Sequence, residues 1–237
     1  SSAKVFATAR RLIATGLCDA AVVGGADSIC GTTLNGFGAL EALSRGYCNP
    51  FSRNRDGINI GEAAAAFLVT REEASVNLLG IGETSDAHHM SAPDPTGRGA
   101  LASMTAALDD AGLAPGDIGY VNLHGTGTPL NDSMESIAIA SLFGASVPCS
   151  STKGMTGHTL GAAGACEAAF LWLTLHPAFA TGSLPPHVWD GAADPSIPAI
   201  SLVGSEAGVP RTGRLAMMSN SFAFGGSNVS LILGRSG

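Results

Sequence analysis

Apolar runs alternate along the chain with segments of helical periodicity. Apolar residues spaced three and four apart predict an amphipathic helix over residues 4–15, and short apolar runs predict buried strands over residues 19–27 and 63–70. The apolar face of that first helix consists of Val5, Ala9, Leu12 and Ile13. Together these segments indicate that sheet and helix are interleaved from the start of the chain.

The rest of the chain continues the alternation. Further helices are predicted over residues 36–44 and 133–142, over a segment that ends at Gly112 just before Pro115, and from His158 onward. Further strands are predicted over residues 77–87, 147–152, 214–223 and 228–235, and over a segment that ends at His124. The pattern favours an α/β fold with layered sheets, with a candidate boundary at residues 74–77.

Charged residues are scarce for a chain of this length. They make up 13% of the 237 residues, whereas hydrophobic residues make up 45%, so we expect another subunit or a missing partner segment to cover much of the surface. The chain is long enough for one large α/β domain or two smaller ones. Its net charge of −7 argues against a nucleic-acid partner.

Neither a membrane span nor a disulfide framework is indicated. The apolar stretch over residues 161–175 contains Glu167 and stops at Pro177, short of the roughly eighteen uninterrupted apolar residues of a spanning helix. The five cysteines form no CxxC pair, so they fit a reducing compartment better than disulfides or a zinc site. We therefore expect a cytoplasmic protein.

The segment VNLHGTGTPLND places His124 at the end of a predicted strand, where α/β sheets often carry functional side chains. Gly125 and Gly127 allow the backbone to approach a ligand closely, and Thr126 and Thr128 offer hydroxyl groups to a polar one. A glycine-rich turn with a capping histidine also explains the segment. The glycine spacing matches neither common nucleotide-binding fingerprint, which argues against a nucleotide site.

The segment STKGMTGH places Lys153 five residues before His158. We expect His158 near a helix N-terminus, where the partial positive charge disfavours protonation, and a neutral imidazole there can donate an N–H to a developing oxyanion. Glu167 lies on the apolar helix that follows, where a carboxylate is costly unless it pairs with Lys153 or with a cation. The alternative is that Lys153 is an ordinary exposed lysine.

Small residues surround these polar groups. The run GAAGA at residues 161–165 allows another helix to approach closely, and helix packing alone is enough to explain it. In SNSFAFGGSN, Phe222 and Phe224 alternate with small residues and lead into a sharp turn at Gly225. By itself this last segment is typical of a hairpin in the core.

Taken together, HGTGTPLND, STKGMTGHTLGAAGACEA and NSFAFGGSN resemble the C-terminal half of the β-ketoacyl-acyl carrier protein synthases, condensing enzymes of the thiolase superfamily. Upstream, DAAVVGGADS, GFGALEALS and RDGINIGEAAAAFLV resemble the middle of an elongating synthase. The resemblance implies a thiolase-type layered α-β-α-β-α fold with mixed five-stranded sheets. Residues 1–75 would be the remainder of an incomplete N-terminal half, and residues 76–237 would form the C-terminal half.

In this family a cysteine accepts an acyl chain from a phosphopantetheine thioester. A malonyl-carrier protein then loses its carboxylate and attacks the acyl group, giving a 3-ketoacyl product. The resemblance implies catalytic roles for His124, His158, Lys153 and Phe224, substrate contacts for Thr126, Thr128, Phe222 and Gly225, and structural roles for Glu167, Asp132 and Glu135. No cofactor is required, but a structural Na⁺ or K⁺ is implied at Asn122, Glu167, Ser219 and Asn220.

The resemblance also implies partners. These are an acyl carrier protein and a second synthase subunit, in a homodimer or a heterodimer. The family's nucleophilic cysteine lies a couple of residues before a stretch like SSAKVF, and none of the five cysteines here occupies that place. We therefore expect an upstream half of the same fold, in the same polypeptide or in a partner, because bare sheet edges would otherwise aggregate.

Three alternatives stay open. A non-catalytic chain-length-factor subunit of a polyketide or aryl-polyene system typically loses the cysteine and often the histidines, whereas His124, Lys153 and His158 are present here. A thiolase would use a second cysteine near its C-terminus, and SFAFGGSN has none. A pure binding module would not need two histidine segments. Among synthases, fatty acid, polyketide and aryl-polyene pathways are equally compatible with these motifs.

Overall fold

The computed structural model describes residues 1–209 and 215–235. Its helices are α1 (Ala3–Ala14), α2 (Gly31–Ala39), α3 (Arg98–Ala111), α4 (Pro129–Phe143), α5 (Lys153–Thr156) and α6 (Ala163–Leu175). Its strands are β1 (Ala20–Asp27), β2 (Ala63–Thr70), β3 (Asn77–Ser85), β4 (Ile118–Asn122), β5 (Pro148–Ser150), β6 (Ser201–Leu202), β7 (Leu215–Ala223) and β8 (Ser227–Arg235). Short 3-10 turns lie at Pro115–Asp117, Leu160–Ala162 and Phe224–Gly226.

These strands form two sheets. β1 and β2 pair antiparallel along their whole length, from Ala20 opposite Thr70 to Asp27 opposite Ala63. The second sheet has six strands in the order β3-β8-β7-β4-β5-β6. Its first three strands are antiparallel, whereas β7, β4, β5 and β6 are parallel. The mixed α/β class is confirmed, although the sheets contain two and six strands instead of five.

Helices cover both faces of the six-stranded sheet. On one face, α3 and α4 bury a cluster that includes Met104 and Ile139. On the other face, α1 and α6 bury a second cluster around Leu171. Val23 of β1 and Phe67 of β2 pack against this cluster from the far side of the two helices. The layers therefore follow each other as α, β, α, β. Across the described ranges, no helix is long and apolar enough to cross a membrane.

The strands β1 and β2 are less buried than their sequences suggest. Both were expected to be buried, yet no residue in either strand is fully buried. Their side chains alternate between an inner, partly buried face and an outer, exposed face. On the outer face, Val22 is 78% exposed and Leu68 is 69% exposed. Runs such as AAVVGGA contain no polar residue, so the sequence has no alternation that would have revealed the bare face.

Three helices differ from their predicted bounds. Helix α2 begins at Gly31 and ends at Ala39, because Cys30 is extended and Glu41 has a left-handed φ of 53°. Helix α4 begins at Pro129, since proline suits the first helical turn. The helix predicted to start at His158 begins only at Ala163, after a 3-10 turn.

The buried face of α1 is also different. The structure buries Phe6 and Ala7 along with Ala9 and Ile13, whereas Leu12 is 38% exposed. The helix packs on two neighbours, the six-stranded sheet and β1, so its buried face is wider than a single apolar stripe. Of the predicted strand over residues 214–223, the first residue lies outside the described residues, as do residues 210–214 and 236–237 of the predicted C-terminal half.

Candidate active site

The loop after β4 carries His124, and two carboxylates at the start of α4 hold its backbone. Glu135 accepts the N–H groups of His124 at 2.8 Å and Gly125 at 2.7 Å. Asp132 accepts the N–H of Thr126 at 3.0 Å. Both carboxyl groups are buried, and burial raises the pKa of Asp132 and raises that of Glu135 to about 7. The sequence GTGTPLND thus folds back on itself to fix the direction of His124.

Gly125 lets this loop contact the segment after β5. Its φ is 36°, and a Cβ there would lie 2.5 Å from the Cβ of Ser151, so a side chain is excluded. The Ser151 hydroxyl donates to the carbonyl oxygen of Gly125 at 2.6 Å and accepts the N–H of Lys153 at 3.2 Å. The two motif segments are therefore joined directly through one serine.

Lys153 is buried and bonded to both motifs. Its ammonium group donates to the carbonyl oxygen of His124 at 2.5 Å and forms an ion pair with Glu167 of α6. Only 1% of the Lys153 side chain is exposed, which rules out the ordinary exposed lysine. Burial raises the pKa of Glu167, whereas the neighbouring ammonium lowers it. Of the two partners that the sequence left open for Glu167, the structure contains the lysine.

The His158 imidazole is held in one tautomer. Its Nδ1 accepts the N–H of Leu160 at 3.2 Å, so the ring proton of the neutral form lies on Nε2. Backbone bonds fix the residue to the preceding half of the chain, since its N–H donates to Asn59 at 2.7 Å and its carbonyl accepts from Gly61 at 3.0 Å. Burial, and next the Lys153 charge, hold the pKa of His158 well below its usual range. The 3-10 turn Leu160–Ala162 begins two residues after His158 and leads into α6, which begins at Ala163.

His124 and His158 face each other. Their ring centroids are 5.3 Å apart and their planes are nearly perpendicular, at 83°. The pKa of His124 is also held well below its usual range, first by burial and then by Lys153 and His158. Both imidazoles are therefore neutral at physiological pH, and each can donate an N–H without presenting a positive charge.

A cavity of about 540 Å³ opens beside the two histidines. Its walls include Ser1, Phe37, Ile58, Asp86, His124, Thr126, Thr128, His158, Phe222 and Phe224. The Thr126 and Thr128 hydroxyls lie 2.9 Å apart. Gly225 is not part of the wall, and its N–H instead donates to the carbonyl oxygen of Met90 at 2.8 Å.

The two phenylalanines after β7 differ in environment. Phe222 is 6% exposed, and its ring lies 6.0 Å from that of His124. Phe224 is 55% exposed and lies 5.8 Å from Phe37 of α2. The chain reverses at once through Gly225, whose φ of 80° suits glycine. One ring is therefore a fixed part of the wall, whereas the other stands at its rim.

The small residues of α6 allow α1 to approach. A Cβ at Gly164 would lie 2.5 Å from the backbone nitrogen of Ala3, and the Ser2 hydroxyl accepts the N–H of Ala165 at 2.8 Å. This contact places Ser1 on the cavity wall. The wall residues Phe37, Ile58 and Asp86 were not anticipated, because they come from segments whose sequences carry no recognisable chemical pattern.

The four residues of the implied cation site differ in whether their side-chain oxygens have partners. Asn122 Oδ1 and Glu167 Oε2 are buried acceptors without a hydrogen-bond partner, as a cation site requires. Ser219 is buried, and Asn220 uses its Oδ1 to accept the Ser230 hydroxyl at 2.8 Å. No cluster of three or more His, Cys, Asp or Glu occurs within residues 1–209 and 215–235. Two side-chain oxygens, on Asn122 and Glu167, are thus left available to a cation.

The chain is similar to known proteins along its length. Family models match residues 1–75 as the beta-ketoacyl synthase N-terminal domain and residues 76–188 as the C-terminal domain. The mitochondrial 3-oxoacyl-[acyl-carrier-protein] synthase of Arabidopsis thaliana is 38% identical over 249 residues, covering 94% of this chain and 52% of that protein. The corresponding synthase 2 of Staphylococcus aureus is 36% identical over 239 residues, covering 94% and 58%.

A solved complex is similar along the whole chain. It contains the ketosynthase ApeO and its chain length factor ApeC from Xenorhabdus doucetiae. The match has a TM-score of 0.93 and 52% sequence identity, and it covers 100% of this chain and 58% of the matched chain in the complex. The chain therefore spans between half and three fifths of the length of these relatives.

Proposed function

We propose that this chain, which belongs to the β-ketoacyl synthase family of the thiolase superfamily, provides the decarboxylation site of a 3-oxoacyl-acyl carrier protein synthase. Such an enzyme lengthens an acyl thioester with a malonyl-carrier protein by decarboxylative Claisen condensation. The observation that carries the proposal is the pair of neutral, buried imidazoles facing one cavity, with ring centroids 5.3 Å apart.

The two histidines are suited to an enolate. When the malonyl group loses CO₂, the bond to the carboxylate carbon breaks and its electron pair moves onto the thioester carbonyl. The oxygen becomes negative, and the N–H groups of His158 Nε2 and of the His124 imidazole stabilise it. Because both rings are neutral, neither forms a salt link that would retain the departing carboxylate. The enolate carbon then attacks the acyl thioester, and the cysteine thiolate leaves.

Lys153 orients this pair without contacting the substrate cavity. Its ammonium bonds the His124 backbone, and its own backbone begins the short helix that leads to His158. Glu167 compensates the lysine charge inside α6. The ion pair therefore fixes the relative positions of the His124 loop, the Lys153 segment and α6, because buried charges that are paired and hydrogen-bonded hold the segments that carry them.

The acyl side of the reaction needs residues beyond this chain. Ser1 lies on the cavity wall, so a cysteine a couple of residues upstream of it would enter the same cavity. Thr126 and Thr128 are placed to contact a pantetheine arm, and the rim ring Phe224 is placed to gate the acyl group. The bare face of the sheet formed by β1 and β2 is the surface that we assign to an upstream half of the same fold.

We also propose a monovalent cation site beside the ion pair of Lys153 and Glu167. Asn122 and Glu167 would hold Na⁺ or K⁺ through their unpartnered oxygens, together with Ser219, which pairs with Asn122 in the sheet, whereas the Asn220 side chain is bonded to Ser230 instead. The cation would coordinate the Glu167 oxygen that the ion pair with Lys153 leaves without a partner. The carboxylate and Lys153 would then keep their relative positions whether or not substrate is present.

The proposed partners are an acyl carrier protein and a second synthase subunit. The relatives from Arabidopsis thaliana and Staphylococcus aureus are named for the carrier protein, and the Xenorhabdus doucetiae ketosynthase is in complex with a chain length factor. The intact bonding of His124, Lys153 and His158 favours the catalytic subunit over a chain-length-factor subunit. Five free cysteines fit a cytoplasmic, reducing location.

Decarboxylation of a malonyl-carrier protein tests the proposal. In the assembled synthase, with its upstream half, we expect His158→Ala to slow CO₂ release by about 10²–10³-fold, because an oxyanion donor is lost. Acylation of the cysteine should stay within about twofold of wild type. The control is His176→Ala, since His176 stacks on Trp172 at 4.4 Å and does not line the cavity. Unchanged CO₂ release in His158→Ala would refute the role.

A further inference from the structure

A third buried histidine lies outside the cavity. His187 follows α6 in the connection to β6, is 5% exposed, and does not line the cavity wall. Its ring packs between Phe51, at a centroid distance of 6.0 Å, and Trp189, at 5.3 Å. The steps proposed above assign nothing to it, so its burial needs another explanation.

Both ring nitrogens of His187 are bonded to backbone. Nδ1 accepts the N–H of Ser151 at 3.1 Å, and Nε2 donates to the carbonyl oxygen of Pro50 at 3.0 Å. Only the neutral ring with its proton on Nε2 can make both bonds, because a protonated ring has no acceptor for Ser151. Burial lowers the pKa of His187 to about 4, so this form prevails at neutral pH.

The Ser151 bond reaches the catalytic segments. Ser151 is the residue that joins the two motifs, through its hydroxyl bonds to Gly125 at 2.6 Å and Lys153 at 3.2 Å. When His187 fixes the Ser151 N–H, the direction of the Ser151 side chain is fixed as well. The two bonds of that hydroxyl set how far the His124 loop lies from Lys153.

The Pro50 bond is connected to the same loop through the next residue in the chain. The residue after Pro50 is Phe51, whose N–H donates to Asp132 at 2.8 Å. Asp132 in turn holds the N–H of Thr126, two residues beyond His124. The two bonds of His187 therefore lead to the His124 loop by two separate chains of hydrogen bonds, one through Ser151 and one through Asp132.

We propose that His187 is a positioning residue for decarboxylation, and that its two hydrogen bonds fix Ser151 and thereby the placement of His124 relative to Lys153. This rests on the proposed function, because it assigns His187 to the geometry of that same site. His187 itself contacts neither substrate nor the reacting atoms.

Two variants separate the bonds from the packing. His187→Phe keeps an aromatic ring between Phe51 and Trp189 but removes both hydrogen bonds. His187→Asn keeps an acceptor for Ser151, since its Oδ1 lies close to where Nδ1 lies in histidine. In the assembled synthase we expect His187→Phe to lower kcat for malonyl decarboxylation by about 10–100-fold, the effect of a misplaced catalytic group. KM for malonyl-carrier protein and the rate of cysteine acylation should stay within about twofold.

The asparagine variant distinguishes positioning from stability. We expect His187→Asn to recover most of the decarboxylation rate. Equal losses of acylation and decarboxylation in His187→Phe, or no recovery in His187→Asn, would indicate a merely structural role and overturn the inference.

Amide hydrogen exchange provides a measurement that does not depend on activity. The Ser151 N–H should exchange at least tenfold faster in His187→Phe than in wild type and return towards wild type in His187→Asn; unchanged exchange overturns the inference. If wild type releases no CO₂, the proposed function is wrong and so is the catalytic consequence assigned to His187. If wild type releases CO₂ and His187→Phe matches it, only the His187 inference is wrong.

Discussion

The two sheets differ in how completely the chain covers them. In the six-stranded sheet, eight of the nine residues of β7 are buried, and helices lie on both faces. In the sheet formed by β1 and β2, no residue is fully buried and one face is bare. The polar groups proposed for catalysis are held by the covered sheet and its helices. The proposed catalytic side chains therefore lie where helices pack on both faces of a sheet, which holds them in fixed positions. The bare face of the other sheet is instead an exposed apolar surface that another subunit can cover.

The cavity lies where the two regions meet. His124 and His158 come from segments that follow strands of the six-stranded sheet, whereas Ser1, Phe37 and Ile58 come from the first 75 residues. The histidine side is fixed by buried carboxylates and a buried ion pair. The opposite wall comes from the region with fewer buried contacts. Substitutions on the histidine side and on the opposite wall should therefore differ in their effects on the reaction rate and on the free energy of unfolding.

The largest effect is expected for the buried ion pair of the covered region. Lys153→Met leaves the Glu167 carboxylate buried without its partner, which should lower the free energy of unfolding by about 3–5 kcal/mol. Urea unfolding measures this loss. Replacing both residues, as Lys153→Met with Glu167→Leu, should restore much of it, because no uncompensated charge then stays buried.

A more exposed ion pair, between α1 and β3, provides the matched control. Lys4 of α1 pairs with Glu83 at 3.3 Å, and 44% of the lysine side chain is exposed. Lys4→Met should therefore cost less than about 1 kcal/mol. Equal losses for Lys153→Met and Lys4→Met would contradict the claim that burial makes the Lys153–Glu167 pair costly to break.

A smaller effect is expected at the rim, where the two regions touch. Phe224→Ala removes the ring that contacts Phe37 of α2, and we expect acyl transfer to the cysteine to slow about tenfold, as for a displaced gating group. Stability should change little, because the side chain is 55% exposed. Single-turnover acylation of the assembled synthase measures the transfer rate.

Phe222 sharpens the test at the rim. It lies two residues earlier but is 6% exposed, so Phe222→Ala should cost about 3 kcal/mol of stability through the cavity that it leaves. Normal transfer kinetics in Phe224→Ala would exclude a gate. A stability loss in Phe224→Ala comparable to that in Phe222→Ala would show that both rings belong to the core.

The sequence predicted the covered region better than the bare one. The chemistry-bearing segments are short, and the resemblance to a family places His124, Lys153 and His158 in one site. The α/β alternation likewise followed from periodicity and from stop signals such as Gly112, which adopts the left-handed conformation at the end of α3. Neither argument needs knowledge of which strands pair.

The sequence could not reveal features that depend on distant contacts. The burial of β1 and β2 depends on which segments cover them, and the sequence of a strand without polar residues does not indicate which of its faces is covered. His187 was not anticipated because its hydrogen-bond partners lie 36 and 137 residues away in the chain. The low pKa of His158 was anticipated, but its cause was not, since burial arises only from tertiary packing.

The smallest effect is expected on the bare face itself. Val22→Lys and Leu68→Lys replace exposed apolar side chains, so each should change the free energy of unfolding of the chain by less than about 0.5 kcal/mol. Both should reduce self-association, measured by sedimentation, because an exposed apolar sheet face is an aggregation surface. Val23→Lys is the matched control, since Val23 packs on the core beneath and should unfold the chain. A loss of stability in Val22→Lys as large as in Val23→Lys would show that both faces are covered, and the contrast between the two sheets would disappear.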